Sequence, residues 1–166
     1  MAAQAREKIA GGAGIDLPPH GEDRWSSPIS RLEVAQALAE AQVDGPIVSA
    51  AIDVSDGLHI DLERLCQASG QRATIDIDAL VGTALAPTAD QVLTGGEDYE
   101  LLMAIKPDSL DRFAEIAVQH TTRWHQIGVI DSADKASITT DRVQVRLGGA
   151  TLQRETQGWD PFQRQQ

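Results

Sequence analysis

The sequence predicts a mixed α/β domain, a mixed sheet with helices packed on it, and three observations predict it. Short apolar runs of β-forming residues recur at 47–52, 72–77, 99–105 and 143–147. Between them lie stretches with apolar residues at helical spacing, such as Leu58, Leu62 and Leu65. The 166 residues are 42% hydrophobic but only 4% aromatic, enough for one domain with a mostly aliphatic core. No internal repeat or low-complexity tract interrupts the pattern, and the order of elements does not demand a doubly wound sheet.

Residues 1–28 read as a flexible segment or linker remnant, because Gly11-Gly12, Pro18-Pro19 and His20-Gly21-Glu22-Asp23 are loop chemistry. The domain proper is expected over 29–162, with 163–166 as a tail. Ser30 is placed to cap a helix from Arg31 to Gln42, with Leu32, Ala35, Leu38 and Ala39 on its apolar face; Asp44-Gly45-Pro46 stops it. The run 47–52 reads as a buried strand, and Asp53 to Gly57 as a polar turn. A helix follows from Leu58 to Ala68 and stops at Gly70, where a left-handed residue closes helices well. Alternation of Ala73, Ile75 and Ile77 predicts a half-buried strand. A short helix is expected across 87–93, broken by Gly95-Gly96, and then a strand over 99–105. Leu110, Phe113, Ile116 and Ala117 mark the inner face of a helix over 109–118. Strands at 124–130, 136–140 and 143–147 close the domain, with Trp124 in or beside the core.

Charge narrows the functions. The chain carries 25 acidic and 14 basic side chains, a net charge of -11, with no cluster of Lys and Arg. A nucleic-acid surface needs such a cluster, so no nucleic-acid partner is expected. An acidic chain that holds an anionic ligand needs local cations, and Mg²⁺ is the usual bridge between carboxylates and phosphates. Cys66 is the one cysteine, so no intrachain disulfide is possible; its helical setting reads as a small buried hydrophobe. A cytoplasmic location fits. The N-terminus lacks the apolar stretch of a signal peptide, and no run reaches membrane-spanning length, so no membrane partner is expected. His20, His59, His120 and His125 show no zinc spacing.

Two strings carry the chemistry. In Ala51-Ile52-Asp53-Val54-Ser55-Asp56-Gly57-Leu58, two carboxylates flank a strand-to-helix turn, where ligand sites commonly form. Asp53 and Asp56 can hold a hard cation, Ser55 offers a hydroxyl, and the helix start offers N–H donors suited to phosphate. The same residues also read as an ordinary N-cap and turn. In Leu93-Thr94-Gly95-Gly96-Glu97-Asp98-Tyr99-Glu100-Leu101-Leu102, paired glycines imply close approach by a ligand or by another segment of chain. A tight turn with solvated acids is the alternative, and Glu100, alternating with apolar neighbours, reads as solvent-facing.

Together the two strings resemble thiamine-monophosphate kinase. Gln126-Ile127-Gly128-Val129-Ile130 is similar to that family's later Ile-Gly strand, and Gly158-Trp159-Asp160-Pro161-Phe162 to its closing motif. The Ser-Asp-Gly string is shared more loosely with aminoimidazole ribonucleotide synthetase relatives. The resemblance runs from about Arg31 to Phe162 and implies the C-terminal domain of the aminoimidazole ribonucleotide synthetase-like type. It implies transfer of the γ-phosphoryl of ATP to thiamine monophosphate, with Mg²⁺ on Asp53 and Asp56 and with Ser55 touching ATP. Glu97 and Trp159 would contact the thiamine end, where a carboxylate and an indole face both attract the thiazolium charge. It names no catalytic side chain. The family's N-terminal domain, which carries further Mg²⁺-binding acids and forms a homodimer, has no counterpart in residues 1–28. This chain is therefore expected to be a kinase half, inactive without that domain. A non-catalytic assembly or regulatory module, or an ATP-dependent relative of aminoimidazole ribonucleotide synthetase, are the alternatives.

Overall fold

The strand Glu100–Ile105 sets the architecture, because it is apolar on both faces. Leu102 and Ala104 point into one core, and Met103 and Ile105 into another. A strand of this kind has to be covered on both sides. The computed structural model describes residues 7–11, 28–81, 88–97, 99–132 and 142–152. Their elements are β1 (Glu7–Gly11), α1 (Leu32–Ala41), β2 (Val48–Val54), α2 (Leu58–Ser69), β3 (Gln71–Asp76), α3 (Ala89–Thr94), β4 (Glu100–Ile105), α4 (Leu110–Gln119), β5 (His125–Ser132), β6 (Val143–Leu147) and β7 (Ala150–Leu152). The described strands form one mixed sheet in the order β2-β4-β1-β5-β3-β6-β7. Its pairs are antiparallel except β3 with β6, which run parallel.

On one face, α2 and α3 bring Leu58, Leu62, Leu65, Val92 and Leu93 against Val54, Ile75, Leu102, Ile127 and Val145. On the other face, α1 and α4 contribute Val34, Leu38 and Phe113 to a smaller core with Ile47, Met103 and Ile105. Trp124 packs edge-on against Phe113, with ring centroids 5.2 Å apart, half in the core as expected. The helix stop at Gly70 is left-handed, with φ 65°. The short helix α3 opens with a capping box between Thr88 and Gln91. At α1 the cap is shifted by one residue. Arg31 holds the cap position, and the Ser30 hydroxyl accepts the Leu32 N–H at 3.3 Å. No described helix is long and apolar enough to cross a membrane.

Two strands depart from the sequence reading. Glu7–Gly11, inside the segment read as flexible, forms β1 and is paired with β4 on one side and β5 on the other. Its ladder is supplied by two distant neighbours, so the local loop chemistry of 1–28 gave no signal for it. β7 is a three-residue strand returning from β6 through Gly148-Gly149. It is too short to show alternation. The strand expected at 136–140 lies outside the described residues.

Cys66 is buried in α2 against the first core. Burial pushes its thiol up to about 11. The folded chain therefore keeps the proton longer than the unfolded chain. This stabilising contribution is complete below the ordinary thiol value of 9.0 and is lost as pH rises towards about 11.

Three outcomes follow from this packing. Leu102→Ala, at a side chain with no exposure, should cost about 2–5 kcal/mol in urea unfolding. Val118→Ala, at 73% exposure, should stay within about 0.5 kcal/mol. A thiol reagent at pH 8 should label unfolded chain promptly and folded chain at the much slower rate of opening. Equal labelling rates would contradict the buried placement of Cys66.

Candidate functional site

The two motif strings meet at one end of the β2–β4 pair. These strands are antiparallel, with Val54 opposite Glu100, so the turn leaving β2 lies beside the segment entering β4. The backbone joins them directly. The Glu97 N–H donates to the Ser55 carbonyl at 2.8 Å, and the Tyr99 N–H to the Val54 carbonyl at 2.9 Å. A Cβ on Gly96 would stand 2.7 Å from the Ser55 carbonyl oxygen. Gly57 has φ 127°, and a Cβ there would meet the Leu93 carbonyl oxygen at 3.0 Å. The close approach anticipated at the glycines is thus made by chain against chain. Glu97 and Tyr99 sit in the left-handed region at φ 66° and 51°. That conformation costs about 1–2 kcal/mol for a residue with a Cβ, and the two interstrand bonds hold it.

The inner side of the first turn is organised by Asp61, which is 1% exposed. Its Oδ2 accepts the N–H groups of Ser55, Asp56 and Gly57 at 3.0, 2.9 and 3.2 Å. Its Oδ1 accepts Arg64 Nη1 at 2.8 Å. These three amides belong to the turn that precedes α2, and they are taken by a carboxylate of the same chain. Asp61 was visible in the sequence only as an acid on the apolar stripe of Leu58, Leu62 and Leu65.

Among the expected site residues, Asp53 lies on the edge strand β2, exposed and opposite Leu101. Ile52 and Val54 pack into the first core, so alternation puts Asp53 on the other face of the strand. Asp56 is part-exposed and ion-paired with Arg64 Nη1. Ser55 is half-buried with its backbone tied on both sides, and Glu97 is exposed. Trp159 lies outside the described residues. Among the described residues, no three His, Cys, Asp or Glu side chains converge as a metal cage.

Glu100 corrects the expectation that it faces solvent. It is 8% exposed, and both its oxygens accept from Arg31, Nε at 2.7 Å and Nη2 at 2.8 Å. That bidentate bond, the larger effect, raises the Arg31 pKa against the opposing cost of burial. Glu100 is buried because the lead-in to α1 brings a guanidinium over the start of β4. Beside this pair, a cavity of about 290 Å³ opens between Ile29, Arg31, Val34, His120 and Arg123. It is lined by none of the residues of the two acidic turns.

Residues 25–141 match the family model of the AIR synthase related protein, C-terminal domain. The thiamine-monophosphate kinase of Salmonella typhimurium is 41% identical over 89 residues, covering 49% of this chain and 26% of that protein. That of Rhodopirellula baltica is 31% identical over 110 residues, covering 61% and 32%. The chain thus spans about a third or less of the curated relatives it matches. Thiamine monophosphate kinase from Aquifex aeolicus superposes with a TM-score of 0.60 at 17% identity, covering 92% of this chain and 53% of that one. T. maritima PurL complexed with ADP gives 0.58 at 17% identity, covering 92% and 24%. AaThiL complexed with AMPPCP and TMP gives 0.53 at 19%, covering 96% and 52%. At these identities the structural likeness establishes the fold.

Asp61→Ala should cost about 3–5 kcal/mol in urea unfolding, since it strips three amides and one guanidinium of their buried acceptor. A loss below about 1 kcal/mol would show that the turn holds its shape without this carboxylate.

Proposed function

From a chain that belongs to the AIR synthase related protein family, through the C-terminal domain of that family, we propose the C-terminal half of an ATP-dependent thiamine-monophosphate kinase. The observation that carries this reading is the joining of the Ser-Asp-Gly turn to the Gly-Gly-Glu turn through the Glu97–Ser55 and Tyr99–Val54 bonds. It sets acids from two distant strings at one end of the sheet, within a chain similar to one such kinase over 49% of its length.

In this reading Asp53 and Asp56 hold Mg²⁺. The donor set is chemically suitable, since Mg²⁺ takes oxygen ligands and is commonly held by one or two carboxylates plus phosphates and water. Among the described residues no group of three such side chains could hold a metal by itself, and in this reading the chain supplies part of a coordination shell. Mg²⁺, when bound, would offset the charge of the polyphosphate against an acidic chain. Ser55 has its N–H on Asp61, which leaves its hydroxyl for ATP. Glu97 and Trp159 attract the thiazolium of thiamine monophosphate. Phosphoryl transfer rests on positioning and electrostatics, and no side chain is assigned as nucleophile or base. The remaining part of the site belongs to an N-terminal domain, through which a homodimer would form. Without it this chain binds weakly and does not turn over.

Calorimetry tests this. AMPPCP with Mg²⁺ should give measurable heat that disappears with EDTA and in Asp53→Ala. Glu97→Gln should weaken thiamine monophosphate binding by roughly tenfold, the effect of about 1.4 kcal/mol, and leave AMPPCP binding unchanged. No heat from either ligand in the presence of Mg²⁺ would overturn the proposal.

A further inference from the structure

Arg64 stands against one oxygen of Asp56, a carboxylate read above as a cation ligand. Its Nη1 donates both to Asp56 Oδ2 and, at 2.8 Å, to Asp61 Oδ1. The two acids are not equivalent. Asp61 is buried and its other oxygen is taken by three backbone amides, so it is fixed. The Asp56 side chain is 29% exposed and that of Arg64 48%, so this bond faces solvent and can be exchanged.

Resting on the Mg²⁺ reading above, we infer that Arg64 is a built-in counter-cation at Asp56. It is a positioning residue that holds the carboxylate in the absence of metal and yields it when a divalent cation arrives. Guanidinium and metal cannot share Asp56 Oδ2 without like-charge repulsion. Arginine does not relieve that repulsion by losing a proton, because its pKa lies far above working pH. Movement of the half-exposed Arg64 side chain relieves it. Asp61 makes the movement local, since Arg64 can release one carboxylate and keep the other. The chain's affinity for a divalent cation is therefore set by the Arg64–Asp56 bond as well as by the ligand acids.

Binding of Mn²⁺ alone, followed by calorimetry and by the electron-spin signal of the free ion, tests this. Arg64→Gln keeps a donor for Asp61 and removes the charge, and should bind Mn²⁺ roughly five- to tenfold more tightly than the parent. Arg64→Lys keeps the charge and should stay within about twofold of the parent. Adding Asp56→Asn to Arg64→Gln should abolish the gain. In the unaltered chain, Mg²⁺ should move the Arg64 Nε–Hε resonance together with the amides of residues 53–56, a readout that does not depend on any variant folding. Unchanged affinity in Arg64→Gln, or amide shifts that leave Arg64 unmoved, would sink the exchange and leave the Mg²⁺ reading intact. No metal response in any form would sink both, and binding gained only in Arg64→Gln would support the inference.

Discussion

The carboxylate of Asp61 is the constraint on which this end of the molecule depends. Helix α2 starts with amide donors that have no helical partner, and three successive donors before it converge on one oxygen of a residue inside its own first turn. Burying an acid at 1% exposure is costly unless its oxygens are filled, and here four donors fill them. The curl this imposes leaves the carbonyls of Val54 and Ser55 facing outward to accept Tyr99 and Glu97. Gly57 and Gly96 then let the two backbones touch. One buried acid shapes a turn, and the turn receives a second turn from far along the chain.

Much of the scaffold was legible in the sequence. The periodicities of Leu58–Leu62–Leu65 and of Ala73–Ile75–Ile77, and the stop at Gly70, describe elements whose side-chain pattern is local. β1 was not legible, because its strand character comes from ladders with β4 and β5. At the site, the glycines marked the two places where the chain makes close contact, but not whether the contact was with ligand or with chain. The roles of Asp61 and Arg64 depend on the turn's closed shape, which spacing does not encode. The Arg31–Glu100 pair spans 69 positions, and alternation alone read its acid as solvent-facing.

The distribution of charge fits a chain that supplies one wall of a site. Arg31 and Arg64, at the head of β4 and beside the first turn, are committed to neighbouring acids of the same chain. Asp53 and Glu97 remain exposed, and the chain as a whole carries a charge of -11. The AaThiL structure complexed with AMPPCP and TMP is matched over 52% of its length. On such an acidic chain, a polyphosphate ligand of the kind proposed would need positive charge that these two arginines do not supply.

The position of β1 has a structural consequence of its own. Five residues, Glu7–Gly11, join a two-stranded piece, β2 with β4, to a four-stranded piece, β5-β3-β6-β7. Lift them out, and both pieces show a raw hydrogen-bonding border facing a slot one strand wide. The two pieces are one sheet only while Glu7–Gly11 bonds to both of them, so the continuity of the whole sheet rests on these five residues.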